Sequence, residues 1–289
     1  MISWHPSGDW LIVGVEEDRH DLGWMPSAWQ RGLMQSGIWL NLWIVNPDGT
    51  RWHQVTNFRK SRDNPSDGFV GVAFTPDGKR GVWAEIVDGN VFANHFGVWK
   101  LYLADFVVQP DGTPEFVHKR DITPVGARWV EPGNFAPDGR RLLISADVGM
   151  EDAQGQDQFI LDVDSGALVN LTHSPDVWDE HGLFSADGSK ITFMSSHPYR
   201  HEKDSNKATS LKTEFMLMNA DGSDLQQLTH FNEPGHPESQ PRSTVAAVAQ
   251  FVSDGSRSFA TVMAPDYSFG KTNWVIAFEG TCGQRVPVK

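Results

Sequence analysis

Five times along this 289-residue chain an aromatic residue is followed, four positions on, by a turn glycine and then by a short apolar run. The copies are Trp4-His5-Pro6-Ser7-Gly8, Phe74-Thr75-Pro76-Asp77-Gly78, Phe135-Ala136-Pro137-Asp138-Gly139, Phe184-Ser185-Ala186-Asp187-Gly188 and Phe251-Val252-Ser253-Asp254-Gly255. Their glycines stand 70, 61, 49 and 67 residues apart, a self-similarity that signals a repeat architecture. A second turn follows each copy: Asn46-Pro47-Asp48-Gly49, Gln109-Pro110-Asp111-Gly112, Asp164-Ser165-Gly166 and Asn219-Ala220-Asp221-Gly222, with only Glu279-Gly280 in the fifth. Asp-Gly tolerates the positive φ of tight connections, so each marks a hairpin.

Between the turns lie runs rich in Val, Ile, Phe and Trp, too short for average helices. Trp10–Val15, Val82–Ile86, Leu142–Ser145, Ile191–Met194 and Phe259–Met263 follow the first turns. Ile38–Val45, Val98–Phe106, Phe159–Val163, Phe215–Met218 and Trp274–Phe278 precede the second. A last run ends in an apolar-Thr pair: Val55-Thr56, Ile122-Thr123, Leu171-Thr172 and Leu228-Thr229. Each unit therefore reads as four antiparallel strands, A to D. Such units arrayed about an axis make an all-β propeller, which leaves few open strand edges. The expectation is one domain of five blades, at about 1–58, 66–124, 125–174, 175–232 and 240–289. Closure would rest on packing alone, unless the chain is part of a longer propeller.

The stretch from Phe184 to Ser196, then Phe215-Met-Leu-Met-Asn-Ala-Asp-Gly-Ser223 and Gln227-Leu-Thr229, resembles the WD40-like (PD40) repeat of TolB-type propellers. All five units carry part of it. The resemblance implies the propeller fold and leaves activity open, since the repeat serves scaffolds, peptidase gates and polysaccharide lyases alike. Neither the extra α/β domain of TolB nor an α/β-hydrolase domain is found in the sequence. Relatives of this type are often periplasmic or secreted, though the N-terminus lacks the layout of an export signal.

Composition excludes several classes. With 24 Lys+Arg against 37 Asp+Glu the formal charge is −13, which argues against nucleic acid as a partner. No apolar run reaches membrane-spanning length, so insertion is not expected. The single cysteine, Cys282, excludes an internal disulfide. Gly-x-Ser-x-Gly and Gly-x-Gly-x-x-Gly are absent, and Gly270-Lys271-Thr272 lacks the upstream glycine of a P-loop.

The meander puts tight A–B and C–D turns at one end of each blade and the B–C and D–A connections at the other. The B–C connections are long: Glu17–Gly37, Val87–Gly97, Val148–Gly155, His197–Leu211 and Ala264–Lys271. Long loops on a rigid scaffold commonly carry sites, so a ligand is expected there. Three readings compete. First, His181 with Glu180, Glu131 and Asn134 would hold a divalent cation (Ca, Mn or Zn). A cation there would serve a lyase or hydrolase acting on an anionic substrate, with His197 or His201 as base. Oligogalacturonate lyase-type propellers offer a weaker resemblance of this kind, and it implies a metal role at His181 alone. Second, Arg59, Arg62 and Arg200, with Trp24, Trp29, Tyr199 and Glu238, would bind a carbohydrate, the aromatics stacking on sugar faces. Third, the same face would dock a protein. A carbohydrate- or protein-recognition module is the leading reading. The strand tryptophans Trp4, Trp10, Trp39, Trp43, Trp83, Trp99 and Trp274 are expected to pack between blades.

Overall fold

The computed structural model describes residues 2–16, 37–58, 67–88, 97–150, 155–202, 210–251, 257–263, 272–279 and 284–286. Its strands form sheets of four, each an antiparallel meander. The first is β1 (Ile2–Trp4), β2 (Leu11–Val15), β3 (Asn41–Val45) and β4 (Trp52–Gln54). The second is β5 (Phe69–Phe74), β6 (Arg80–Asp88), β7 (Val98–Val108) and β8 (Pro114–Asp121). The third is β9 (Val130–Phe135), β10 (Arg141–Ala146), β11 (Asp157–Asp162) and β12 (Leu168–Asn170). The fourth is β13 (Asp179–Phe184), β14 (Lys190–Ser195), β15 (Glu214–Asn219) and β16 (Gln226–Gln227). The backbone of β17 (Val245–Phe251), β18 (Arg257–Met263), β19 (Thr272–Glu279) and β20 (Gln284–Val286) makes another. The architecture is an all-β propeller of four-stranded antiparallel blades. No α-helix occurs among the described residues.

The expected hairpins form. Eight glycines, at 8, 49, 78, 112, 139, 166, 188 and 222, have φ between +67° and +85°. In the six of these turns that read Asp-Gly, the aspartate caps the turn. Asp187 Oδ1 accepts the Ser189 amide at 3.0 Å and Asp77 Oδ1 the Lys79 amide at 3.0 Å. Hydrogen bonds from Ser185 and Ser189 hold the Asp187 carboxyl down at about 2.

The chain divides into two compact units, Met1–Leu142 with Asp162–Ala167, and Leu143–Leu161 with Leu168–Lys289. In the first, Trp10, Ile12, Leu42 and Ile44 pack with Phe69, Phe74, Trp83 and Phe106 in one core. His5 stacks against Phe106, ring centroids 4.5 Å apart, and its Nε2 lies 2.9 Å from the Gly78 carbonyl oxygen. The turn after β11 is held by guanidiniums: Arg80 reaches Asp164 at 2.8 Å and Arg120 donates to the Val163 carbonyl at 2.9 Å. Trp10, Trp39, Trp83 and Trp99 are buried, as inter-blade packing would require, whereas Trp4 is 57% exposed.

The apolar-Thr pairs acquire a reason. The threonine hydroxyl accepts the amide of the residue that opens the apolar part of strand C. The pairs are Thr56 with Leu42 (2.8 Å), Thr123 with Leu101 (2.9 Å), Thr172 with Gln158 (3.1 Å) and Thr229 with Phe215 (2.9 Å). Its own proton goes to a neighbouring acceptor: Asn41 (3.0 Å), Asp121 (2.6 Å), Asp157 (2.8 Å) and Glu214 (2.7 Å). In three of the four that acceptor sits one residue before the amide, at the entry to strand C. Where Lys100 occupies this position, Asp121 supplies the carboxylate from strand D and also pairs with Lys100.

Candidate functional site

The second unit places the candidates His181 and Glu180 side by side at the long-connection end of the fourth sheet. There Asp179, Ser195 and Glu214 lie in one cross-strand row, and the turn-bearing end is marked by Lys190 opposite Asn219. The first sheet has the same polarity by itself, with Val15 opposite Asn41 at the end where residues 16–40 connect β2 to β3.

The start of β13 is held from both sides. Trp178 donates its amide to Ser196 Oγ (3.0 Å) and accepts the Ser196 amide on its carbonyl (3.0 Å). The Asp179 amide donates to the Gln156 carbonyl at 2.9 Å. Trp178 is buried, and its indole N–H donates to Glu180 Oε2 at 2.8 Å. His181 Nδ1 stands 3.8 Å from the same oxygen. An acidic/histidine group is thereby formed from neighbours on one strand. The pairing register slips between Glu180 and Leu183, and His181 occupies the bulge with φ +55°. In β5 the equivalent bulge, three residues before the closing Phe74, is filled by Gly71 at φ +58°. A bulge re-aims a side chain, and a non-glycine residue held in the left-handed region stores strain of a kind found at functional sites.

Beneath this pair, two carboxyls compete for one hydroxyl. Ser174 Oγ lies 2.5 Å from Asp179 Oδ2 and 2.9 Å from Asp157 Oδ1. Asp157 also accepts Asn170 Nδ2 (2.6 Å), Thr172 Oγ1 (2.8 Å) and the Ser174 amide (3.0 Å), so it is the better-supplied acceptor. Burial pushes the Asp179 carboxyl up to about 7, and the Asp157 charge adds to this. Because the folded value lies above the unfolded one, folding takes up a proton between about pH 4 and 7. Stability therefore falls as pH rises through that window and levels off above it. Asp179→Asn is expected to abolish the slope in urea midpoints measured from pH 4 to 8.

The other candidates fall as follows. His197, Tyr199, Arg200 and His201 cluster on and just after a 3-10 turn, His197–Tyr199, set by Pro198 at its start. Burial lowers the His197 imidazole, and the Arg200 charge reinforces this, which suits a neutral base. Tyr199 is buried, its hydroxyl donating to Glu214 Oε1 at 2.7 Å, so its ring braces the loop. Burial first, then Glu214, pushes its phenol up. Arg200 pairs with Asp176 at 2.9 Å. Glu238 Oε2 accepts the His230 amide at 3.1 Å. Glu131 and Asn134 sit on β9. Arg59, Arg62, Trp24 and Trp29 lie outside the described residues.

Sequence reasoning missed Trp178 as the donor that aims Glu180, and Asp157, Ser174 and Glu214 as the buried polar frame. The acceptor at the strand C entry differs between units (Asn41, Asp157, Glu214), so no repeated letter announces it.

No family model and no curated protein matches the sequence. Solved structures do match. A structure described as a putative TolB from Agrobacterium tumefaciens is 16% identical with a TM-score of 0.58, over 99% of this chain and 78% of that one. TolB from Acinetobacter baumannii is 18% identical with a TM-score of 0.50, over 88% of this chain and 49% of that one. Prolyl oligopeptidase B from Galerina marginata is 13% identical with a TM-score of 0.57, over 98% of this chain and 32% of that one. The chain thus spans about half of one TolB and a third of the peptidase. At these identities the likeness is one of fold, and that fold is the TolB-like β-propeller.

Proposed function

We propose that this protein is a recognition module that binds a carbohydrate or a protein segment at the long-connection end of its blades. What supports the reading is the His181 bulge: a strand position that β5 fills with Gly71 here carries a half-buried imidazole beside a buried carboxylate, at a backbone cost. Backbone strain of this kind collects at ligand-binding and active sites. The basic and aromatic candidates Arg59, Arg62, Arg200, Trp24 and Trp29 would favour an anionic sugar chain such as a uronate.

A second reading, a metal-assisted lyase or hydrolase on an anionic substrate, is favoured by the Glu180 and His181 pair. Imidazole with carboxylate suits Zn or Mn, and Glu131 and Asn134 are the further donors named by the sequence. In this reading His197 or His201 takes a proton from the substrate or from water, and Arg200 orients an anionic group. A bound cation would polarise the substrate carboxylate.

One titration tests both. An oligouronide added to the wild type is expected to give a saturable change in tryptophan fluorescence, through Trp178. His181→Gly is expected to weaken that binding at least tenfold while leaving the melting temperature equal or higher, since relief of the left-handed strain is worth up to about 1 kcal/mol. Absence of saturation with the wild type defeats the carbohydrate reading, and binding unchanged by EDTA defeats the metal one.

A further inference from the structure

The connection from β16 to β17 contains three turns set end to end. The Glu233 amide donates to the His230 carbonyl (3.4 Å), the His236 amide to the Glu233 carbonyl (3.1 Å) and the Ser239 amide to the His236 carbonyl (2.9 Å). The middle turn has the letters its geometry asks for, Pro234 at its second position and Gly235 at its third with φ +87°. Such a turn holds its end residues within about 7 Å, so a spacing of three gathers His230, Glu233 and His236. The two imidazoles meet there, ring centroids 4.2 Å apart and planes inclined at 35°. The frame beneath them is fixed. Glu214 takes the Phe231 and Asn232 amides at 2.9 and 2.8 Å, and the Gln240 amide closes onto the Phe231 carbonyl at 2.7 Å.

We propose that His230, His236 and Glu238 form a site for a divalent transition-metal ion of the zinc class, with Glu233 holding the His230 ring. The hydrogen bonds assign the ring nitrogens. His230 Nδ1 lies 2.6 Å from Glu233 Oε2, and a carboxylate only accepts, so Nδ1 carries the proton and Nε2 the lone pair. The Gln227 amide nitrogen, 3.2 Å from the same Nδ1, directs a proton instead to the Thr229 carbonyl at 2.7 Å. His236 Nδ1 accepts the Glu238 amide at 3.3 Å, so it too holds a lone pair, under a long bond that an ion would replace. Glu238 brings a carboxylate against His230, its Oε2 accepting the His230 amide at 3.1 Å. An imidazole that donates its other N–H to a carboxylate is the arrangement found behind metal-bound histidines. Two imidazoles and a carboxylate are a donor set of zinc, with a fourth position left for water. Charge agrees with this. Residues 229–240 contain two glutamates and no lysine or arginine, which favours an incoming dication. The rings stand stacked and half-buried, and binding would turn them about their side-chain bonds until the two lone pairs face one point.

Calorimetric titration of the full chain with zinc chloride, after EDTA treatment and removal of the chelator, is the test. The expected result is saturable binding of an ion, abolished by His230→Ala and, separately, by His236→Ala, and weakened about tenfold by Glu233→Ala. His181→Gly is expected to keep that ion, which separates this site from a metal held by Glu180 and His181. Unchanged far-UV circular dichroism in His236→Ala separates a lost ligand from a lost fold. Zinc-edge X-ray absorption of the loaded wild type, expected to show two imidazole ligands, decides the question even where a variant does not fold. A wild type that takes up no zinc, a folded His236→Ala variant with wild-type affinity, or an absorption spectrum without the imidazole pair would overturn the proposal.

Discussion

Glu214→Ala is expected to cost about 4–5 kcal/mol, the largest single-site loss outside large-to-small changes in the apolar core. The side chain is fully buried, yet it is the hub of the fourth blade. Its Oε2 accepts Thr229 Oγ1 (2.7 Å) and the Phe231 amide (2.9 Å). Its Oε1 accepts the Tyr199 hydroxyl (2.7 Å), the Asn232 amide (2.8 Å) and Asn232 Nδ2 (3.1 Å). Removing the carboxylate strands several buried donors at once, each worth roughly 1–3 kcal/mol if left without an acceptor, with water entering the cavity to recover part. Glu214→Gln restores both acceptor count and shape only in part, because its NH2 faces donors; it should lose about half as much. Urea denaturation of the three proteins checks the order. Equal stability of Glu214→Ala and wild type would show that the hub is ornamental.

Gly182→Ala is expected to cost about 3 kcal/mol for a different reason. A Cβ at this position would lie 2.0 Å from Gln158 Oε1 and 2.8 Å from Leu143 Cδ2. Gln158 cannot swing aside without loss, since its Nε2 donates to Ser145 Oγ and to the Asp179 carbonyl, both at 2.9 Å, in a buried setting. The backbone must shift instead, and with it the adjacent His181. The double variant Gly182→Ala/Gln158→Ala should cost clearly less than the sum of its parts, because the clash is shared. Strict additivity in thermal or urea melts would assign the loss to something other than that contact.

These two residues show what could be read beforehand. The turn glycines and their aspartates were legible because a positive φ and an amide cap are local demands, met by the same two or three letters each time. The strands were legible from their apolar runs, and the propeller from the number of runs per repeat. Gly182 was not, because its necessity lies in Gln158, a residue of another strand 24 positions away. Glu214 was not, because a buried carboxylate is indistinguishable by letter from a solvated one until its donors arrive from residues 199, 229, 231 and 232.

The same division runs through the candidate site. Asp179, Glu180 and His181 could be singled out as chemistry-bearing letters just before a closing phenylalanine. Tertiary structure alone decided that Glu180 is aimed by Trp178, that Asp179 is a buried acid rather than a ligand, and that Tyr199 braces a loop rather than offering its face.

The sequence by itself determined an all-β chain of repeated four-stranded meanders with tight turns at one end of each, because backbone conformation answers to neighbours one to four residues away. The tertiary structure decided which polar groups are buried, which of them keep a proton, and where a glycine leaves room for a neighbouring side chain. Those are properties of electrostatic environment and packing, which arise only when segments distant in the chain exclude water from one another.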